Sequence, residues 1–129
     1  MAIKMRLIRK GLKYDPEYAG TGYREESDLQ EQVRGLGYKI IFEPKFYVYH
    51  LNLEEGGNRA INDIAKRLYW KTRNNTYFML KHRKPIYKLI LSNMTIVVYA
   101  LLHGIKAFVL ASRGLRDAFM IKHSRSQEI

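Results

Sequence analysis

The sequence predicts an α/β fold: a partial, sheet-bearing half-domain over residues 1–84, followed by a basic, amphipathic helical tail over residues 85–129. Three observations predict it. Ser27 followed three residues later by Gln30 is a capping-box pattern, which starts a helix at Asp28. Tyr38–Phe42 and Phe46–His50 are short runs rich in aromatic and β-branched residues, interrupted by Pro44, and read as two strands. From Arg59 to His82, and again from Lys88 onward, apolar residues recur at helical spacing.

Before the first of these helices, Lys13 to Gly22 contains Asp15-Pro16 and two glycines, a run of turn signals. Leu29, Val33 and Leu36 at i, i+4 and i+7 give the helix that follows one apolar face, and Gly37 is a natural C′ stop. Glu54 to Asn58 reads as a glycine-containing loop. Ile61, Ile64, Ala65, Leu68, Thr72 and Met79 then hold helical register until Pro85. Residues 89–105 contain no Lys, Arg, Asp or Glu. At about 100° per residue, Lys88, Ser92, Thr95, Tyr99, His103, Lys106 and Arg113 fall on one narrow stripe of an otherwise apolar wheel. Such a helix suits a membrane interface. A core helix with a solvated stripe and a true span remain the alternatives, although a span needs about 20 apolar residues and this run meets Lys88 and Lys106.

At 129 residues and 47% hydrophobic composition, the chain is long enough for one domain with a real core. It has no cysteine, which excludes disulfides, thiolate metal sites and a cysteine nucleophile. No signal-peptide pattern opens it. The net charge of +11 is concentrated in the second half: residues 51–85 carry eight Lys and Arg against three acids, and residues 86–129 carry six against two. That excess points to a phosphate-bearing partner without choosing among nucleic acid, anionic lipid and nucleotide diphosphate.

Two features can carry chemistry. Glu25-Glu26 precede a predicted helix N-terminus, whose positive end favours the ionised carboxylate that a general base requires. Acidic residues also simply decorate helix starts. His50 ends a predicted strand, where a neutral imidazole can ligate a divalent metal, or can bond to backbone. The chain contains no Gly-x-x-x-x-Gly-Lys loop, no Gly-x-Ser-x-Gly elbow and no Gly-x-Gly-x-x-Gly fingerprint. Tyr47 and Tyr49 lack the basic, glycine-rich companion of an RNA-recognition sheet, so nucleic acid is not an expected partner.

These features belong to one longer pattern. Gly11-Leu12-Lys13-Tyr14-Asp15 to Tyr18, Gly20 to Leu29 (with Glu25-Glu26-Ser27-Asp28-Leu29), Val33-Arg34 to Gly37-Tyr38, and Pro44 to His50 run in order. Together they resemble the family 2 glycosyltransferases, with a good match over residues 8–83 and a looser one through Arg113–Asp117. The resemblance implies the acceptor-side part of a GT-A fold, a partial GT-A half-domain. It implies inverting transfer of a sugar from a nucleotide-sugar donor to a hydroxyl acceptor, lipid-linked or polysaccharide. By position, Glu26 matches the family's catalytic base. Glu25 and Arg73 match substrate-binding positions, Arg73 reaching a phosphate of donor or acceptor, and Asp28 matches an acid that orders the helix start. His50 matches a histidine that helps hold a divalent metal, Mg or Mn, on the donor diphosphate. Asp15, Asp28, Asp63 and Asp117 are the only aspartates and none forms the family's Asp-x-Asp. The expectation is therefore that a second chain or segment supplies the donor-binding half, and that these residues alone are inactive. A non-catalytic remnant or partner subunit that binds a membrane surface or another chain is the alternative. Either way the expected location is the cytoplasmic face of a membrane, peripheral or monotopic, against anionic lipid.

Overall fold

The computed structural model describes residues 3–45, 47, 49 and 61–127. Within them the chain is helical throughout: α1 (Met5–Arg9), α2 (Glu25–Gly35), α3 (Ile64–Lys81), α4 (Ile86–Leu102) and α5 (Ile105–Gln127). No strand occurs among the described residues, so the α/β, partial GT-A half-domain expected from the sequence is not what the structure contains. Tyr38–Phe42 has the composition of a strand but no ladder. A strand is stable only when its N–H and C=O groups pair with a neighbour. Here Ile41 and Phe42 are 82% and 88% exposed, with no sheet to cover them. The second expected strand, Phe46–His50, lies largely outside the described residues.

The first helix pair is built locally. Leu7 and Leu12, at either end of the α1 turn, pack on Leu29 and Val33 of α2. Leu36, the third member of the expected face, is left at the surface. α2 begins at Glu25, three residues before the expected start, with Arg24 at its N-cap in the left-handed region at φ 73°. The Asp28 N–H bonds to the Arg24 carbonyl at 2.8 Å, so Asp28 sits inside the first turn rather than opening it. Ser27 therefore caps nothing. The helix ends in a Schellman motif, with Tyr38 N–H on the Val33 carbonyl at 3.1 Å and Gly37 N–H on Arg34 at 2.9 Å.

α3 is the axis of the molecule. Asp63 caps it, its side chain accepting from the N–H groups of Ala65 and Lys66 at 2.8 and 3.3 Å. Every residue from Thr72 to Met79 is buried, so this helix is enclosed on all sides through its middle turns. One core joins Tyr77, Phe78 and Met79 to Tyr18, Leu89 and Ala118. A second joins Ala65 and Leu68 to Ile96, Ala100, Ala107 and Ala111.

The apolar run of the last third is not one helix. Gly104, at φ 98°, ends α4 and turns the chain into α5, a conformation that costs a side-chain-bearing residue about 1–2 kcal/mol. The basic stripe expected from Lys88 to Arg113 is consequently divided between two helices, and Lys106 is drawn aside to an ion pair with Asp63 at 2.9 Å. α5 lies along α3 in the most extensive helix–helix interface. It presents Ala107, Ala111, Gly114 and Ala118 inward at steps of four, three and four residues, and small side chains let the two backbones approach. At Gly114 a Cβ would stand 2.5 Å from the Tyr69 carbonyl oxygen and 3.1 Å from the Arg73 nitrogen. Both are backbone atoms that cannot move aside. We expect Gly114→Val to destabilise the fold by about 1–3 kcal/mol through overpacking, read as a lower urea midpoint. Gly35→Ala, where a Cβ meets nothing within 4 Å, serves as the benign control.

Candidate functional site

Four consecutive polar residues of α3, Arg73, Asn74, Asn75 and Thr76, are buried, and each finds partners. The Asn74 amide donates to the Ala19 carbonyl at 2.9 Å. Arg73 Nη2 meets Glu17 Oε2 at 3.0 Å, and its Nη1 bonds to the Glu17 carbonyl as well. Asn75 accepts from Arg24 Nε at 2.9 Å and donates to Ser92 Oγ and Asn93 Oδ1 at 2.9 and 3.1 Å. Asn93 closes the circuit by donating to Thr76 Oγ1 at 3.0 Å. A polar seam inside a core is stable only when fully bonded. This one ties the Glu17–Arg24 loop to one side of α3 and α4 to the other.

One turn further along, α3 carries charge into the same loop. The Lys81 ammonium lies 2.8 Å from Asp15 Oδ2 and 2.7 Å from Asp28 Oδ1. Asp28 is completely buried, and it also accepts from Tyr18 Oη at 3.2 Å and Gln32 Nε2 at 2.6 Å, with His82 Nε2 at 2.7 Å. Tyr77 Oη donates to Asp15 at 2.8 Å. Burial alone would raise the carboxyl pKa of Asp28, but hydrogen bonds from His82, Lys81 and Gln32 outweigh it and hold the group below its ordinary value. For Asp15 too, burial is outweighed by Lys81, the Glu17 N–H and Tyr77, leaving its carboxyl far below the usual range. Tyr18 is pushed well above its usual value by burial and by the Asp28 charge, so it remains a donor.

The residues expected from the sequence are placed unevenly around this cluster. Glu25 and Glu26 stand in the first turn of α2, where unbonded N–H groups favour negative charge. Glu26 is exposed, and both line an open cavity of about 590 Å³ walled by Tyr18, Gly20–Gly22 and Arg24. Among the described residues no ion pair engages either carboxylate. Arg73 faces inward and its charge is matched by Glu17 at 3.0 Å. His50 lies outside the described residues. Among those described, no group of three or more His, Asp and Glu side chains converges to hold a metal ion. Asp15 and Asp28 are both held by the Lys81 ammonium instead.

The Lys81 cluster escapes a reading of the sequence because its three charges are separated by 13 and 53 positions. The available signal is register: Asn74, Tyr77 and Lys81 are spaced i, i+3 and i+7, one continuous face of a helix. Lys84, in the basic run Lys81-His82-Arg83-Lys84, likewise turns to the protein, pairing with Glu31 at 2.9 Å.

The remaining feature is apolar. No described helix is long and apolar enough to cross a membrane. Yet α4 divides into three arcs. Leu89, Asn93, Ile96 and Ala100 pack inward, while Lys88, Ser92, Thr95 and Tyr99 form a polar stripe. Between them Ile86, Tyr87, Ile90, Leu91, Met94, Val98, Leu101 and Leu102 are all more than half exposed. Exposed apolar patches of this extent mark contact with a partner or a bilayer. No protein-family model, curated protein or solved structure matches the chain.

Because the native carboxyl pKa values of Asp15 and Asp28 lie below the unfolded value of about 3.9, their contribution is fully present above that pH. It is lost as pH falls through the native values. Urea midpoints should therefore decline below about pH 4. Asp28→Asn should flatten that decline and cost about 3 kcal/mol at pH 7. That is the low end for a broken buried pair, since Lys81 keeps Asp15 and remains about one-quarter exposed.

Proposed function

We propose that the chain is the acceptor-side, membrane-apposed part of an inverting glycosyltransferase. In this reading it presents a hydroxyl acceptor to Glu26 while the nucleotide-sugar is held by a donor-binding half. Supporting it is one observation: buried charges fasten the Asp15–Asp28 segment to α3, yet leave Glu26 at the rim of the 590 Å³ cavity. A general base must stand on a held segment and be open to its substrate; Glu26 lies in the first turn of α2, which Lys81 fastens to α3, and borders the cavity. Its role is to accept the acceptor hydroxyl proton as the oxygen attacks the anomeric carbon and the nucleoside diphosphate departs. Glu25 borders the same cavity and orients acceptor hydroxyls. Arg73 holds the loop through its pair with Glu17.

The test restores the donor-binding half by co-expression or fusion. Glu26→Gln keeps size and hydrogen bonding but cannot take a proton, so transfer should fall about 10²–10⁴-fold. Donor binding should be unchanged. Transfer at the wild-type rate would remove Glu26 from the mechanism.

A second reading, membrane attachment without catalysis, rests on the exposed apolar arc of α4. Both readings place the chain on the cytoplasmic face of an anionic bilayer. With Lys81, Lys84 and Lys106 engaged by acids, the cations left to meet headgroups beside the arc include Lys88 and Arg83. Each basic residue near such a surface contributes about 1 kcal/mol, screened by salt. Co-sedimentation with anionic vesicles should weaken as ionic strength rises, and further in Lys88→Glu. An absence of vesicle binding at low salt would exclude membrane apposition.

A further inference from the structure

Beside the polar stripe of α4, where it meets α3, lies a groove of about 480 Å³. Its α3 wall carries Arg67 and Lys71, both exposed and spaced i, i+4, so that their side chains are neighbours. Like charges so placed disfavour the helix. Among the described residues neither cation has an acid partner, in contrast to Arg73, Lys81, Lys84 and Lys106. Tyr23 and Tyr99 flank the pair, the Lys71 ammonium lying 5.4 Å from the Tyr23 ring centre. Thr21 completes the wall. It is more than nine-tenths buried, and its Oγ1 is left without a hydrogen-bond partner among the described residues.

The position of the groove matters as much as its lining. Going round α4 at about 100° per residue, the order is Ile96 and Tyr99 in the groove, Thr95 at its edge, then Leu102, Leu91 and Val98 on the exposed arc. With that arc in the acyl region, Arg67 and Lys71 stand at headgroup depth, opening directly onto it. We propose that this groove binds the phosphomonoester head of a membrane lipid, with Arg67 and Lys71 on the phosphate oxygens and the lipid chain leaving over Leu91 and Leu102. Two adjacent cations answer the double charge of a phosphomonoester, the aromatic edges cover the carbon beneath it, and the apolar arc takes the chain. A free anion would need only the first of these. The assignment rests on membrane apposition but not on sugar transfer.

The test uses the full chain with phosphatidylcholine vesicles containing either phosphatidic acid or phosphatidylglycerol at matched surface charge. The wild type should bind the phosphatidic acid vesicles about tenfold more tightly, the weight of one charge-assisted hydrogen bond. In Arg67→Ala with Lys71→Ala that ratio should fall to about one, and Lys71→Arg alone should retain it. Both positions are exposed, so far-ultraviolet circular dichroism should be unchanged. Equal binding of the two vesicles by the wild type, or an unchanged ratio in the double variant, overturns the inference while leaving membrane apposition intact. Failure to bind either vesicle overturns both. Displacement from phosphatidic acid vesicles by millimolar inorganic phosphate, but not by chloride at equal ionic strength, would reassign the groove to a free phosphate and overturn the lipid assignment.

Discussion

A single ammonium, that of Lys81, lies within 2.8 Å of carboxylates from two different segments, Asp15 in the loop after α1 and Asp28 in α2. Two buried carboxylates so close together repel unless a cation stands between them, and a buried cation is costly without acids. Each therefore makes the others tolerable. Remove the ammonium and Asp28, which has no exposure to water, keeps only its contacts with Tyr18, Gln32 and His82, while Asp15 loses that cation. With it, α2 and its preceding loop are held on the end of α3, Tyr18 is drawn beneath Tyr77 at a ring separation of 5.4 Å, and the first turn of α2 is aimed outward. The accessibility of Glu26 follows from the burial of Asp28 two positions later.

The helices were legible where their signal is local. Leu29 and Val33 hold the inward face of α2, and the period from Ile64 through Met79 belongs to α3, because spacing at 3.6 residues per turn needs no knowledge of distant chain. Tyr38–Phe42 has a composition that suits a pleated, half-buried surface, but composition cannot supply the neighbouring strand that such a surface requires. The start of α2 departs from the capping pattern at Ser27 because Asp28 is engaged by Lys81, a contact across 53 positions. The inward pairing of Arg73 is hidden from the sequence for a similar reason. Its partner, Glu17, is 56 residues earlier, and no spacing rule pairs them. The division of the last apolar run at Gly104 is invisible to a helical wheel, which assumes that the helix continues.

The loop bearing the cavity beside Glu26 and the helix bearing the exposed apolar arc are both fastened to α3. Toward the loop, α3 presents Arg73, Asn74 and Lys81, which fasten the segment bearing Glu25 and Glu26. Toward α4 it presents Asn75 and Thr76. The proposed acceptor face and the proposed bilayer face are thus built on one rigid element. An acceptor anchored in the membrane would meet Glu26 at a height fixed by α3 itself.

The hydrogen bonds of Asn93 bear on that geometry in a further way. An inward stripe made only of leucine, isoleucine and alanine would accept several registers, since apolar contacts are nearly indifferent to a slide of one turn or a small roll about the axis. Asn93 bonds at once to Asn75 and to Thr76, and only one position of α4 satisfies both. Any other leaves an amide and a hydroxyl unpaired inside the core, at a cost of about 1–3 kcal/mol each. The asparagine therefore works as an indexing pin. It contributes less by holding α4 on than by choosing which of its sides looks away, so the direction in which the oily surface points is set by a polar residue on the helix's inward side.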